Sequence, residues 1–235
     1  MGMDRFMRLK APKRERIVEA AVEEFSRHGF RQASLNRLAE SLGISKGSLF
    51  QYFGNKEGLF LFIFDHAVDL VRQRLAQVKQ HTAEKDFFEK IRQSLLAGVD
   101  FIQRHPRFYR IYLKMLFQED FPMRDTLLQR VRFFSAEYLR PIVLRGMARG
   151  ELRSDVDPDC VVFFLDAVMD RFLQAHCVSF LDGGTGLYEG ARDVTERVID
   201  DFLKVLKGGL AGDGVTSHAE GTAHASHIGV PVFRS

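Results

Sequence analysis

Apolar residues recur at helical spacing along almost the whole chain, and this periodicity constrains the fold more than any other feature. One such stripe, within residues 13–28, consists of Ile17, Ala20, Ala21, Val22 and Phe25. Apolar residues three and four positions apart form one face of a helix. Equivalent patterns predict helices over residues 35–42, 46–53, 57–80, 85–104, 106–118, 125–149, 158–181 and 187–207. Because no alternating strand pattern accompanies them, the sequence predicts an all-α fold.

Two short helices joined by a tight turn follow the first helix. Gly29 is predicted to end the first helix as a left-handed cap. Ser34 is a favoured N-cap for the next helix, Gly43 closes that helix, and Ser45 caps the one after it. Two helices joined in this way behind a longer supporting helix predict a helix-turn-helix motif, although a plain helical corner has the same pattern.

The residues at the start of the helix over 46–53 suit contact with duplex DNA. In a helix-turn-helix the second short helix enters the major groove with its N-terminal end. Gly47 allows a close approach to base edges, because it has no side chain. Hydrogen-bonding groups stand nearby at Lys46, Ser48 and Gln51.

Phosphate groups could be held around the same motif. The helix N-termini at Ser34 and Ser45 offer N–H groups and the positive end of a helix dipole. Tyr52 and Lys56 are placed to flank the groove. Residues 1–56 carry a net charge of +5, whereas the rest of the chain carries −2. A basic end on a slightly acidic body predicts a polyanionic partner held at one end.

Composition and missing motifs narrow the remaining classes of protein. With 235 residues, 46% apolar and 28% charged, the chain has the composition of a globular protein. It contains no nucleophile elbow, phosphate-binding loop, zinc motif or dinucleotide fingerprint, so neither an enzyme nor a cofactor is predicted. No signal peptide is visible, the apolar runs are too short to span a bilayer, and Cys160 and Cys177 make no disulfide framework. We therefore expect a cytoplasmic protein.

A longer pattern covers the stretch Arg16–Phe60. Ala20, Phe25 and Gly29 stand at fixed spacings in RIVEAAVEEFSRHGF, and LAESLGISKGSLFQYFGNKEGL follows from Leu38 to Leu59. This stretch resembles the N-terminal DNA-binding region of the TetR family of transcriptional repressors. The chain accordingly divides into a helix-turn-helix DNA-binding domain (11–58), a larger helical ligand-binding and dimerisation domain (59–207) and a small, polar, flexible tail (208–235).

By position, the resemblance assigns base-edge or groove contacts to one set of residues: Asn36, Lys46, Gly47, Ser48 and Gln51. It assigns phosphate contacts to a second set: Ser34, Tyr52 and Lys56. Arg37 on the same face could add a phosphate contact, with a solvated basic surface as the alternative. Phe50 departs from the pattern, because this position is usually tyrosine. A phenylalanine ring has no hydroxyl to reach a phosphate, so Phe50 is expected only to pack.

For the body, the resemblance implies two roles, the binding of a small molecule and the formation of a homodimer. The basic first domain and the apolar helix over 158–181 predict binding to a palindromic operator, and the helix over 57–80, which joins both domains, predicts that a ligand in the body releases the protein from DNA. The helix over 158–181 is nearly apolar all round, and with the helix over 187–207 it is predicted to form a four-helix seam with a partner copy. Aromatic residues are dense in the other body helices. The candidate ligand contacts are Phe101, Tyr109, Tyr112, Phe134, Tyr138 and Arg171.

Arg171 stands among apolar neighbours on the helix over 158–181. It could anchor an anionic end of a ligand, form an ion pair across the dimer seam with Asp166 or Asp170, or reach solvent. No metal site is predicted, because His176 beside Cys177 lacks clustered ligands. The tail histidines His218, His224 and His227 could bind a metal, but a mobile tail is favoured.

One other function stays open from the sequence, namely a DNA-binding regulator that responds to a protein partner. Such a protein needs no small-molecule cavity, and its body can be solid. A closed internal cavity large enough for a drug-sized molecule, as against a solid core, would therefore distinguish the two.

Overall fold

The computed structural model describes residues 2–118, 121–188 and 190–210, and the prediction of an all-α fold is confirmed. These ranges contain eleven α-helices and no β-strand. The helices are α1 (Gly2–Met7), α2 (Ala11–Gln32), α3 (Leu35–Leu42), α4 (Lys46–Phe53), α5 (Lys56–His81), α6 (Phe87–Arg104), α7 (Pro106–Phe117), α8 (Arg124–Val131), α9 (Arg140–Ala148), α10 (Pro158–Ala175) and α11 (Arg192–Leu210). A π-helical segment (Phe134–Leu139) precedes α9, and a 3-10 turn (Ser179–Leu181) follows α10.

The helix-turn-helix has the predicted boundaries, and the predicted caps explain why. The Ser34 hydroxyl accepts the N–H of Arg37 (3.4 Å), and the Ser45 hydroxyl accepts that of Ser48 (3.2 Å). Gly43 has a φ of 65°, the left-handed conformation that ends a helix and that glycine adopts without strain. Two caps and one glycine therefore set where α3 ends and α4 begins.

The N-terminal region differs from the prediction at two points. Gly29 has the expected positive φ (69°), but it kinks α2 rather than ending it, and helical hydrogen bonding continues to Gln32. The short helix α1 was not predicted, since six residues are too few to show a period. Its Phe6 is buried against the rings of Phe53 and Phe62, with centroids 4.9 and 5.1 Å away, so α1 covers the inner side of α4.

The helix predicted over 125–149 is interrupted. Pro141 has no N–H to donate, so an α-helix cannot continue unchanged through it. The N–H of Arg140 donates to the carbonyl of Ser135, five residues back, which is the bond of a wider π-turn. The interruption leaves α8 and α9 as separate short helices on either side of the π-helical segment.

The two C-terminal helices are also shorter or shifted relative to the prediction. The helix predicted over 158–181 ends at Ala175, and the loop after it is organised by Asp182, whose carboxylate accepts the N–H groups of Leu187 (2.6 Å) and Tyr188 (3.1 Å). The last helix begins at Arg192 and runs three residues past 207. The rest of the predicted tail, with its histidines, lies outside the described residues.

Helix α5 connects the two halves of the molecule. Its first turns pack under the helix-turn-helix, where the ring of Phe60 meets those of Phe25 (5.0 Å) and Phe30 (5.3 Å). Its later turns contact α6, which lies at the centre of the body against α7, α9, α10 and α11. A Cβ at Gly58 would lie 2.1 Å from the carbonyl oxygen of Phe53, so the start of α5 is held tightly against the end of α4.

Candidate DNA-binding surface and ligand cavity

The N-terminal end of α4 forms an exposed polar surface. Ser45, Lys46, Gly47 and Gln51 are exposed, and Ser48 is half-buried. The hydroxyl oxygens of Ser45 and Ser48 lie 3.0 Å apart. The surface therefore presents an ammonium, an amide and hydroxyl groups beside the positive end of a helix dipole.

Gly47 has no structural requirement within the protein. A Cβ at this position would meet only the Ser45 hydroxyl, at an ordinary contact distance of 3.7 Å. Gly47 also lies in the first turn of helix α4, and glycine is a poorer helix former than alanine. A glycine that the fold does not need is typical of a place where another molecule approaches the backbone closely.

Phe50 is more exposed than expected for a residue that only packs. The side chain is 41% exposed, and the ammonium of Lys46, one turn earlier, lies 5.6 Å from its ring centroid. The ring is therefore part of the outer surface of α4 rather than of the core.

The N-terminal end of α3 is already occupied by a carboxylate. Glu24 on α2 accepts the backbone N–H of Ser34 (2.7 Å) and forms an ion pair with Arg37. Although burial opposes the shift, these two donors hold the pKa of Glu24 below its usual value. Because Glu24 partners both groups, Ser34 and Arg37 are less available for phosphate than the sequence suggests, whereas Asn36 between them is exposed.

Lys56 has protein partners that the sequence did not reveal. Its ammonium donates to the carbonyl oxygens of Arg31 (3.1 Å) and Ala33 (3.3 Å), and it lies 4.9 Å from the ring centroid of Phe30. Lys56 therefore closes the C-terminal end of α2, where backbone carbonyl groups lack helical partners. Its phosphate contact remains a prediction and would have to use the third N–H of the ammonium.

Tyr52 is half-buried beside α1, with its ring centroid 5.9 Å from that of Phe6. Helix α1 thus packs beside one flank of α4. Arg14, near the start of α2, donates to the carbonyl oxygens of Met7 (2.8 Å) and Leu9 (3.0 Å). That arrangement ties α1 to α2.

The body contains a cavity of about 440 Å³ among α5, α6, α7, α8, the π-helical segment and α10. This volume lies in the range of small-molecule sites. Most of its lining is apolar, contributed by α5 residues such as Ile63, Phe64 and Val71 and by α7 residues such as Phe108 and Leu116.

Four of the six predicted ligand contacts line this cavity: Phe101, Tyr109, Tyr112 and Phe134. Tyr138 lies one layer behind the wall. Its hydroxyl is 2.7 Å from that of Ser94, a lining residue, and its ring stacks on Phe134 at 5.6 Å. Tyr138 therefore positions lining residues without facing the cavity.

Arg171 does not face the cavity, and its predicted role as an anionic-ligand anchor is not supported. The α10 residues that line the cavity are Asp166, Met169, Asp170 and Leu173, which share one helical stripe. Each residue advances the helix by about 100°, so Arg171 is turned away from Asp170 and is exposed. Arg171 instead shares the outer face of α10 with the exposed rings of Phe163 and Phe164.

The charged side chains on the cavity wall of α10 are acidic, which the sequence reasoning missed. Asp170 accepts hydrogen bonds from the Tyr112 hydroxyl (3.1 Å) and the Gln174 amide (2.6 Å). Burial raises the pKa of both Asp166 and Asp170 above the usual value. The signal was present in the sequence, because two carboxylates at i and i+4 in an apolar helix are as unusual as one arginine.

Helix α7 has one face on the cavity and another on helix α2. Phe108, Tyr109 and Tyr112 line the cavity. On the other face, Arg107 forms an ion pair with Glu23 of α2 (2.5 Å), and Lys114 donates to the carbonyl of Arg27 (3.0 Å). A change in the cavity wall can therefore reach α2 directly, as well as through α5.

Large apolar side chains remain exposed at the C-terminal end of the chain. Phe163 on α10 is 76% exposed, Phe180 in the 3-10 turn 78%, and Val205 on α11 72%. Exposed apolar side chains that form one continuous patch are typical of protein–protein contact.

Family profiles match both halves of the chain. The profile "Bacterial regulatory proteins, tetR family" matches residues 17–63, and "Tetracyclin repressor-like, C-terminal domain" matches residues 85–211. A helix-turn-helix followed by a helical body, matched in this way, defines a DNA-binding transcriptional regulator. The chain belongs to the TetR family.

Curated relatives span most of the chain. The "Probable acrEF/envCD operon repressor" of Escherichia coli strain K12 is 23% identical over 197 residues, covering 81% of this chain and 86% of the relative. The "HTH-type transcriptional repressor AcnR" of Corynebacterium diphtheriae is 29% identical over 189 residues, covering 80% and 88%. These relatives are named as transcriptional repressors rather than enzymes.

Solved structures share the fold. A TetR family transcriptional regulator from Chloroflexus aurantiacus aligns with a TM-score of 0.63 at 28% identity, covering 89% of this chain and 98% of that one. The regulator FadR of Bacillus subtilis, solved in complex with stearoyl-CoA, aligns with a TM-score of 0.66, covering 83% and 98%. At 18% identity, the second likeness shows the fold alone.

Across the described ranges, no helix is long and apolar enough to cross a membrane.

Proposed function

We propose that this protein is a homodimeric, ligand-responsive repressor that binds a palindromic operator through α4 and leaves it when a small apolar or amphipathic effector occupies the body cavity. The observation that carries the proposal is that one helix, α5, contacts both the recognition helix and the cavity. Lys56 at the start of α5 adjoins the recognition helix, and Ile63 and Phe64, two turns later, line the cavity. The two cysteines of the protein, Cys160 and Cys177, are free thiols, as is usual in a reducing compartment. We therefore propose that the protein is cytoplasmic.

Base reading is proposed for the exposed start of α4. Lys46 and Gln51 can hydrogen-bond to base edges in the major groove, with Ser48 as a third group. Gly47 supports the close approach, because the fold itself does not require it. Ser45 and Tyr52 are proposed to hold phosphates, with Asn36 contacting the groove from α3. Three further residues, Ser34, Arg37 and Lys56, already have partners within the protein. Each can contact phosphate only through donor groups that those partners do not use.

Dimerisation is proposed through the exposed apolar side chains of α10, α11 and the 3-10 turn. Burying Phe163, Phe180 and Val205 against a second copy would remove their apolar surface from water. A two-fold symmetric dimer places two copies of α4 on one face, and a palindromic site mirrors that symmetry. The two copies must lie about 34–36 Å apart, or a matching multiple, to reach successive major grooves.

Effector release follows from the shared helices. A ligand that fits better when α5 and α7 are displaced would stabilise a dimer whose two α4 helices are wrongly spaced for DNA. The ion pair of Arg107 with Glu23 and the bond from Lys114 to the Arg27 carbonyl make α2 follow α7. Coupling of this kind typically amounts to about 1–3 kcal/mol per linked pair of sites.

The test begins with the operator, because its sequence can be found without knowing the effector. Purified full-length protein is incubated with randomised duplex DNA, and bound sequences are selected. We expect an inverted repeat; recovery of unrelated sequences, or of single half-sites bound by monomer, would contradict the proposal.

The effector half is tested by calorimetry with the operator in hand. Because linkage is reciprocal, saturating operator must weaken effector binding by the same factor by which effector weakens operator binding. Identical effector affinity with and without operator would leave a DNA-binding protein that responds to a protein partner. The cavity favours the small-molecule alternative, since such a partner-controlled protein needs no internal space.

A further inference from the structure

We propose that the cavity binds an amphipathic cation, with an apolar body among the aromatic side chains and a protonated amine between Asp166 and Asp170. This inference rests on the proposed function, because it names the chemical class of the effector. It concerns binding in the cavity, however, and can be tested without DNA.

The two carboxylates stand together on the cavity wall. Asp166 and Asp170 are one helical turn apart on α10, so their side chains project from the same face. Within the described ranges, Asp166 has neither a hydrogen-bond partner nor an ion-pair partner, although it is half-buried. A carboxylate in an apolar wall without a cation is unfavourable, and a bound cation would remove that cost.

Asp170 is held in position by neutral donors. The Tyr112 hydroxyl and the Gln174 amide each donate to one of its oxygens, at 3.1 and 2.6 Å. Each carboxylate oxygen can accept more than one hydrogen bond, so both retain capacity for an ammonium group. The two neutral donors orient the carboxylate without neutralising its charge.

A separate observation points to a polar ligand at the same place. Tyr109 is only 7% exposed and lines the cavity, and its hydroxyl has no hydrogen-bond partner among the described residues. Burial, followed by the charge of Asp170, raises the pKa of Tyr109, so the hydroxyl keeps its proton. A buried hydroxyl without a partner is costly and is normally satisfied by water or a ligand. Its proximity to Asp170 puts a third polar group beside the proposed ammonium.

The cationic side chains of the wall do not favour an anion instead. Arg74 is already paired with Asp100 (3.1 Å) and hydrogen-bonded to Gln77 (3.2 Å), and of its guanidinium only the buried Nε has no hydrogen-bond partner among the described residues. Arg132 is exposed, and its charge is therefore well solvated. An anionic ligand reaching the inner wall would meet two carboxylates. Neither carboxylate forms an ion pair with an arginine or lysine of the described ranges, although the charge of Arg171 acts on Asp170 through space.

The rest of the wall suits the apolar part of such a molecule. Phe101, Phe108 and Phe134 line the space, and aromatic faces also attract ammonium groups when water is excluded. The expected ligand class therefore differs from the acyl-CoA bound by the structurally similar FadR, which is an anion.

The experiment compares three ligands of equal chain length on the ligand-free protein. Decylamine, decanol and decanoate are titrated calorimetrically into full-length protein at neutral pH, below their micellar concentrations. We expect decylamine to bind about tenfold or more tightly than decanoate, with decanol between them, because a charged hydrogen bond adds to the shared apolar burial.

Variants assign the preference to the carboxylates. Asp166→Asn loses no partner, so it should fold normally and lower decylamine affinity by about tenfold while leaving decanol unchanged. Asp170→Asn is the second variant, because Asp170 alone could hold the ammonium group when Asp166 is replaced. Asp159→Asn is the matched control, because Asp159 lies on the same helix but outside the cavity and is exposed beside Arg140.

The outcomes separate this inference from the proposed function. Decanoate binding as tightly as decylamine, no binding of decylamine, or equal amine affinity in wild type and both cavity variants would each overturn the cation site. Amine binding that depends on Asp166 but does not release operator would support the site and contradict induction. Operator release by decanoate but not by decylamine would support induction and contradict the cation site.

Discussion

The helix-turn-helix and the body cavity handle charge in opposite ways. Around α3, the charged groups that lie close together are paired inside the protein, as Arg37 is with Glu24, and Lys46 is left in solvent. In the cavity, Asp166 and Asp170 are half-buried, and neither forms an ion pair within the described ranges.

The difference indicates two kinds of recognition. An exposed lysine gains affinity for DNA mainly by releasing counterions, so the interaction depends on salt and on a large surface of opposite charge. A half-buried carboxylate gains affinity by recovering a partner it lost when it left water, so the interaction depends on one matching group. We therefore expect substitutions on the DNA side to act through salt and surface, and those in the cavity through pH and ligand class.

The largest effect is expected from Phe163→Glu, which tests whether operator binding requires two copies of the protein. A glutamate in an apolar seam is unfavourable, so the dimer should dissociate. Operator affinity should then fall by about 100-fold or more, because two linked half-site contacts are lost. Sedimentation and DNA titration measure the two properties. Gln129→Glu, exposed on α8, is the control for charge. A Phe163→Glu variant that stays dimeric would contradict the proposed seam, and a monomer with unchanged operator affinity would contradict the need for two linked half-sites.

Lys46→Ala tests the exposed side of the comparison. It should weaken specific operator binding by about tenfold, because a base-edge contact is lost, and weaken random DNA much less. Lys79→Ala, exposed at the far end of α5, is the control and should change neither. Equal losses on operator and random DNA would move Lys46 from base reading to phosphate contact.

The helix-turn-helix was predictable from sequence because its determinants are local. Ser34, Gly43 and Ser45 fix the ends of α3 and α4 within a few residues, and the structure has those ends as predicted. The predictions were less complete where a residue's partner is distant in sequence. The Arg31 carbonyl that receives Lys56 is 25 residues away, and no local pattern indicates it.

The cavity was less predictable because facing direction depends on tertiary packing. Aromatic density led to Tyr109 and Tyr112, which line the cavity, but the composition of α10 does not say which stripe faces inward. Arg171 was chosen because a cation in an apolar helix is unusual, yet it lies about 100° from the lining stripe that contains Asp170. Choosing between them required the position of α10 against α6, where Gly98 would have a Cβ only 2.8 Å from Leu173.

Lys56→Ala tests the difference between Lys46, which is in solvent, and Lys56, which is hydrogen-bonded within the protein. Losing the bonds to the Arg31 and Ala33 carbonyls should lower the free energy of unfolding by about 1 kcal/mol, measured by urea titration. Lys46→Ala, whose ammonium has no such bonds, should leave stability nearly unchanged. If the salt dependence of DNA binding flattens by about one unit in Lys56→Ala without loss of stability, Lys56 acts mainly on phosphate.

Phe50→Tyr tests whether the DNA surface can gain a contact that carries no charge. Because the ring is exposed on α4, a hydroxyl at its tip could reach a phosphate and raise operator affinity by about threefold. The added group is neutral, so the slope of affinity against salt should not change. A steeper slope, or lower affinity on every sequence, would mean that the phenylalanine ring itself contacts DNA.

The smallest effect concerns the cavity in the absence of ligand. Burial raises the pKa of Asp166 above its ordinary value of 3.8, so the folded protein binds more protons than the unfolded chain between the two pKa values. Stability therefore falls as pH rises through that window, and the full penalty is present above the folded-state pKa. Asp166→Asn carries no such charge, so its melting temperature should exceed that of wild type by about 1–2 °C at neutral pH. The difference should shrink as pH falls towards 3.8, when the wild-type carboxyl is also neutral. Asp159→Asn, which loses an exposed ion pair, should show no such gain at neutral pH. A lower melting temperature for Asp166→Asn at neutral pH would show that the carboxylate already has a partner, and the contrast between the two regions would then fail.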